Sequence, residues 1–206
     1  MIRVVASLSA LFIGMLPLAA QSLSGCRSLE RRGRHAESGV CYQRLASSSD
    51  PYLRAEAFWA LGRYQEANDE FRNAVARDPK NPDYRVRWGR LYLDRMQPGD
   101  AITLFREALE INDDHAGAIL GMALVAAEGF ESQAAALAGR ALAANPKLAE
   151  ARVLLARLAL EDGNLRKAEA EAARALSLEP DNLEALALGA VIEWLEDKPE
   201  PANLDR

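Results

Sequence analysis

An all-α fold, arranged as a solenoid of antiparallel helix hairpins, is predicted by three features of the 206-residue sequence. Half of the residues are hydrophobic, alanine and leucine lead among them, and β-branched residues are few, which favours helices over strands. Small residues recur with a period near 34. Ala67, Ala101, Ala134 and Ala168 are spaced by 34, 33 and 34, and Ala74, Ala108, Ala141 and Ala175 keep the same steps. Between them Phe71 aligns with Phe105, then with Ala138 and Ala172, while Pro79, Asp113, Pro146 and Pro180 mark the ends of the units. An isolated helix has no use for a small–large–small order; a helix fitted closely between neighbours does.

The first element stands apart from the array. After Arg3 the run Val4 to Ala20 is mostly apolar, is interrupted by Pro17 and ends in small residues. It reads as a secretory signal over residues 1–20, too short and too lightly flanked for a membrane span. Residues 26–51 then form a degenerate N-terminal hairpin. A short helix around Ser28 to Arg32 turns near Gly33 into a second helix, with Ser38 and Tyr42 at the small and large positions.

The clear array occupies 52–197, with units at about 52–81, 82–115, 116–148 and 149–182 and a half unit at 183–197. Asp50-Pro51 starts the helix Tyr52 to Leu61, and a second helix runs on to Pro79. In the unit from Ala149, apolar residues keep helical spacing to Leu160, Gly163 breaks the pattern, and a second helix reaches about Leu178 before Pro180. Helices of about a dozen residues are marginal alone in water, so each hairpin needs its neighbours. With alanine in place of the aromatic at Ala138 and Ala172, small voids are expected in the last two full units. The half unit Leu183 to Asp197 spreads Leu186, Leu188, Val191, Ile192, Trp194 and Leu195 around much of its circumference. Leu186, Val191 and Trp194 are therefore expected to form a terminal contact surface, for a partner, a second copy or further sequence. Residues 198–206 form a polar tail.

The pattern resembles the tetratricopeptide repeat family. Gly62, Tyr64, Ala67, Phe71, Ala74 and Pro79 carry the resemblance in one unit, and Trp88, Gly89 and Tyr92 in the next; it covers about Tyr52 to Asp197. The resemblance implies a right-handed superhelix whose concave groove, lined by the first helix of each hairpin, holds a peptide or a helix. Projected onto this sequence, the family's groove positions are Glu56, Trp59, Val86, Arg90, Leu93, Asp94, Leu120, Glu150, Val153, Arg157, Leu160 and Glu161. The clamp that some members use for acidic C-terminal tails is absent, since Val86 and Arg87 stand where its polar anchors would be.

Other classes of function find little support. A net charge of −5 argues against nucleic acid, and the local cluster Arg27, Arg31, Arg32 and Arg34 reads as a solvated helix face. There are two histidines, His35 and His115, and the common nucleophile, phosphate-loop and zinc strings do not occur. Asp113-Asp114-His115 falls in a turn between units. No catalytic residue, cofactor or metal site is expected.

The cysteines admit two uses. Leu23 to Cys26, "LSGC", resembles a lipobox, which would move the signal boundary to residue 25 and anchor the chain to a membrane through acylated Cys26. Alternatively Cys26 and Cys41, about equally far on either side of the turn at Gly33, pair as a disulfide. Closing that loop of about 15 residues would contribute roughly 3 kcal/mol. The leading expectation is a non-catalytic interaction scaffold, exported to the periplasm or medium, that binds protein partners and has a C-terminal helix available for self-association. Alternatives are the front region of a larger exported enzyme, for example a metallopeptidase, and a lipoprotein assisting outer-membrane or pilus assembly.

Overall fold

The computed structural model describes residues 22–196; the signal segment 1–20, Asp197 and the tail 198–206 lie outside the described residues. Among the described residues the secondary structure is eleven α-helices and no strand. In chain order they are α1 (Leu23–Arg31), α2 (His35–Leu45), α3 (Pro51–Ala60), α4 (Tyr64–Arg77), α5 (Pro82–Asp94) and α6 (Pro98–Ile111). They continue with α7 (Ala116–Ala126), α8 (Glu131–Ala144), α9 (Ala149–Glu161), α10 (Leu165–Leu178) and α11 (Leu183–Glu196). Each helix packs on the next, α1 also meets α3, α5 meets α7 and α9 meets α11. The first helices of successive hairpins thus share one surface.

Local sequence fixes where the helices start and turn. Asp50 and Asn81 each accept a backbone N–H two residues on, at 3.0 Å, with Pro51 and Pro82 opening α3 and α5. His115 caps α7 through Nδ1, which accepts from Ala118 N–H at 3.2 Å, and its Nε2 lies 3.0 Å from Asp83. That gives the predicted turn histidine a structural task. Gly33, Gly62 and Gly163 turn three hairpins with φ between 70° and 72°, a left-handed conformation glycine adopts without a Cβ penalty. At the corresponding turn after α5 stands Met96, with φ 56°.

The repeating alanines are the places where helices approach. Ala67, Ala101, Ala134, Ala168 and their partners seven residues on are all buried. Phe105 of α6 lies between two glycines: a Cβ at Gly89 would fall 2.6 Å from its ring, and one at Gly121 2.5 Å. Thirty-three residues later the sizes exchange, with Ala138 in place of Phe105 and Leu154 in place of Gly121, and the pair is buried in one cluster with Leu158. The void expected at Ala138 is therefore filled by the next first helix. At Ala172 an open cleft does remain, between α10 and α11. Trp88 Nε1 and the Tyr92 hydroxyl both donate to Asn68 Oδ1 at 2.9 Å, tying α5 back to α4.

Helix α1 begins at Leu23, ahead of the predicted hairpin boundary at residue 26, because Ser22 accepts from Gly25 N–H and caps it. Cys26 and Cys41 are joined in a disulfide between α1 and α2, with Cα atoms 5.5 Å apart and both side chains buried. At the far end Arg31 meets Asp181, just before α11, at 3.4 Å. The two ends of the array come around to touch.

Candidate functional site

The shared surface of the first helices carries a chain of polar contacts that begins at Glu56. This α3 carboxylate is only 3% exposed. Arg27 of α1 donates to its Oε2 at 2.8 Å, and Arg87 of α5 donates to both oxygens, at 2.6 and 2.9 Å. Burial alone would raise the Glu56 pKa, but the hydrogen bonds and charge of Arg87, with Arg27 behind them, hold it below the ordinary value. The Arg87 guanidinium also lies 4.5 Å from the ring centre of Trp59, whose Nε1 donates to Asp94 at 2.9 Å. Three first helices are locked together in this way.

Beyond Asp94 the surface opens into a cleft of about 480 Å³. Arg90, Leu93, Asp94, Glu150 and Arg157, all projected groove positions, line it together. Arg90 forms an ion pair with Glu150 on α9, and Arg157 reaches Glu184 on α11 at 3.8 Å. Burial, with repulsion from Arg87, lowers the Arg90 pKa to about 10, so the guanidinium stays charged at neutral pH. The cleft therefore combines aliphatic surface with fixed charges of both signs.

Several projected positions sit elsewhere. Val86, Leu120 and Val153 are buried among neighbouring helices, and Glu56 is enclosed by its two arginines, so none of the four offers open groove surface. Val86 packs with Phe105 and Ala118, Leu120 with Ala138 and Leu154, and Val153 with Ala175 and Ala185, in each case against both its own hairpin partner and the next hairpin. Leu160 packs beside Ala159, Ala168 and Ile192, and Glu161 is exposed at the end of α9, outside the cleft lining. Trp59 borders a second, smaller cleft of about 290 Å³ with Arg27, Tyr42 and Arg87. Arg27, expected on a solvated face, is instead paired with Glu56. On the terminal helix Leu186, Val191 and Trp194 are exposed, whereas Ile192 is buried.

The cleft also contains residues that sequence reasoning missed: Met96, Pro98, Leu124, Val125 and Glu128. Met96 is 84% exposed at its mouth. A signal for it existed, since a methionine occupies the turn position where three other hairpins have glycine. Leu124 and Val125 lie one turn beyond Leu120, where the inward side of the short α7 falls.

Two family profiles, each described as tetratricopeptide repeat, match residues 52–118 and 149–182. The chain belongs to the tetratricopeptide repeat family. Among solved structures, the thermophilic repeat protein TTC0263 of Thermus thermophilus is 25% identical, with a TM-score of 0.66 over 84% of this chain and 97% of that one. PilW, a type IV pilus biogenesis factor, is 21% identical with a TM-score of 0.57, over 82% and 88% of the two chains. YrrB, a tetratricopeptide repeat protein with an unusual peptide-binding site, is 21% identical with a TM-score of 0.51, over 80% and 88%. The fold of this tetratricopeptide repeat chain is thus an all-α solenoid, and Trp88, Gly89 and Tyr92 are family positions with visible packing roles.

Proposed function

We propose that the chain is a non-catalytic scaffold of the bacterial cell envelope that holds an extended peptide or a helix of a partner protein in its concave groove. The observation that carries this reading is the 480 Å³ cleft, where Leu93, Leu124 and Val125 lie beside Arg90, Asp94, Glu150 and Arg157. Aliphatic surface gives affinity, and charges already held in place give orientation. The peptide-binding site of YrrB and the pilus role of PilW support the same class of function.

Export rests on two supports. Residues 1–20 read as a secretory signal, and a buried disulfide suits an oxidising compartment, periplasmic or extracellular. Membrane anchoring through Cys26 is disfavoured, because its sulfur is bonded to Cys41 and a cut before Cys26 would remove the first turn of α1.

Photocrosslinkers placed at Leu93 and Leu124 in native cells, with Arg72 on the outer side of α4 as control, test the groove. The expected result is one discrete partner captured from both groove positions, lost on Arg90→Glu with Leu124→Asp, and absent at Arg72. Capture that is equal from both sides, or unaffected by the double change, would reject the groove reading.

A further inference from the structure

The cleft left open at Ala172 lies away from the proposed groove and has a different chemistry. It measures about 430 Å³, its floor includes Ala172, Ala173 and Gly189, and its rim carries Glu169, Glu193 and Glu196. Among the described residues no lysine or arginine lines it, and none occurs in α11.

The repeat supplies a comparison within the same molecule. One unit earlier, the cleft between α8 and α9 is lined by Ala135, Ala159 and Asp162, and Lys167 of α10 lies against it. Stepping each by 34 residues converts Ala135 to Glu169, Ala159 to Glu193 and Asp162 to Glu196. Two alanines become carboxylates and Asp162 becomes Glu196, while Glu131, the other acid of the earlier cleft, becomes Leu165. The cleft also widens from about 170 to about 430 Å³, and Leu155 becomes Gly189. In the interior a helix bearing Lys167 covers this place; at the end, none of the described residues does. A small-residue floor admits a helix closely, and three carboxylates, with no lysine or arginine among the described lining residues, lower the potential where that helix would lie.

We infer that the α10–α11 cleft seats an amphipathic helix of another protein, with small or aliphatic residues facing the floor and lysines or arginines along its flanks. That helix would complete the last hairpin as α10 completes the one before. Charge complementarity selects this occupant over a second copy, whose own α11 would bring carboxylates against carboxylates.

Two synthetic 16-residue helical peptides test the inference, each with an alanine stripe, one flanked by lysines and its twin by glutamates. Binding to the full chain is measured by fluorescence anisotropy at low and moderate salt. The lysine peptide is expected to bind at least tenfold tighter than its twin, with an advantage that shrinks as salt rises. Glu169→Lys with Glu193→Lys should weaken it at least tenfold, while the charge-matched Asp100→Lys with Glu110→Lys, on exposed α6 positions, should not. Both double variants change charges that the structure exposes, and circular dichroism checks that they fold. Arg90→Glu with Leu124→Asp should leave this binding intact, so failure here is separable from failure of the groove. Equal binding of the two peptides, or equal loss in both charge variants, would overturn the inference. So would a dimer in sedimentation that Glu169→Lys with Glu193→Lys disrupts, which would assign the cleft to a second copy. A gain in peptide binding on removing residues 197–206 would assign it to the chain's own end.

Discussion

Phe105 and Gly121 interlock: the ring of α6 lies so close to the α7 backbone that a single added carbon at Gly121 would fall 2.5 Å from it. Gly89 closes the other side at a similar distance, so the ring has no free direction in which to retreat. Gly121→Ala gains about 1 kcal/mol of helix propensity but overpacks the core by about 1–3 kcal/mol. The second effect wins because Phe105 is boxed in. A net loss of up to about 2 kcal/mol is expected from urea unfolding of the variant. An unchanged midpoint would mean that the ring has room to move.

Met96 supports the opposite prediction. A left-handed conformation costs a residue with a Cβ about 1–2 kcal/mol, and glycine would adopt it freely at the expense of about 0.5–1 kcal/mol of extra chain entropy. Met96→Gly should therefore stabilise the chain slightly, by up to about 1 kcal/mol, and raise Tm by about 2–4 °C. Calorimetry showing a lower Tm would indicate that the methionine side chain packs in a way that outweighs the strain.

Glu56 makes the inner surface sensitive to acid. Its folded pKa lies below the ordinary value of 4.5, so the stability it contributes is complete above that value and is lost as pH falls through the folded pKa. Glu56→Gln leaves Arg27 and Arg87 without their anion and should cost about 2 kcal/mol at pH 7, below the roughly 3–5 kcal/mol for fully buried pairs because both arginines keep some water. The gap between the two proteins should close as pH drops below 4.5. A gap that stays constant through that range would show that shape, and not charge, holds the three helices together.

Reducing the Cys26–Cys41 disulfide should act locally. The 15-residue loop contributes roughly 3 kcal/mol by its chain-entropy effect. Repeats depend mainly on nearest neighbours, so the loss should concentrate in α1 and α2. Hydrogen exchange after reduction is expected to speed up over residues 23–45 and to stay slow over 149–178. Uniform acceleration along the chain would mean that the array unfolds as one unit.

The hairpin architecture was legible because it is written in size and period: an alanine that must admit a backbone, a phenylalanine that must fill a hollow, a glycine or proline at a turn. The exchange of Phe105 and Gly121 for Ala138 and Leu154 was not, since it pairs residues from different hairpins and neither change is informative alone. The groove was read in part. Arg90, Leu93, Asp94, Glu150 and Arg157 converge, but Val86, Leu120 and Val153 are buried against their own and the next hairpin, which a fixed register carried from unit to unit does not capture. Glu56 was placed on the correct helix, yet its burial depends on Arg27 and Arg87, 29 and 31 residues away in sequence.

The meeting of Arg31 and Asp181 bears on how the two ends of the array relate. A row of repeats whose ends never touch behaves as an open string, in which fraying at one terminus is unknown to the other. Here one exposed contact spans the gap, so the two ends lie near each other while each hairpin still depends mainly on its neighbours. The pair is exposed and therefore weak and open to screening by salt. Added salt would weaken that contact and leave the two ends less firmly tied to each other.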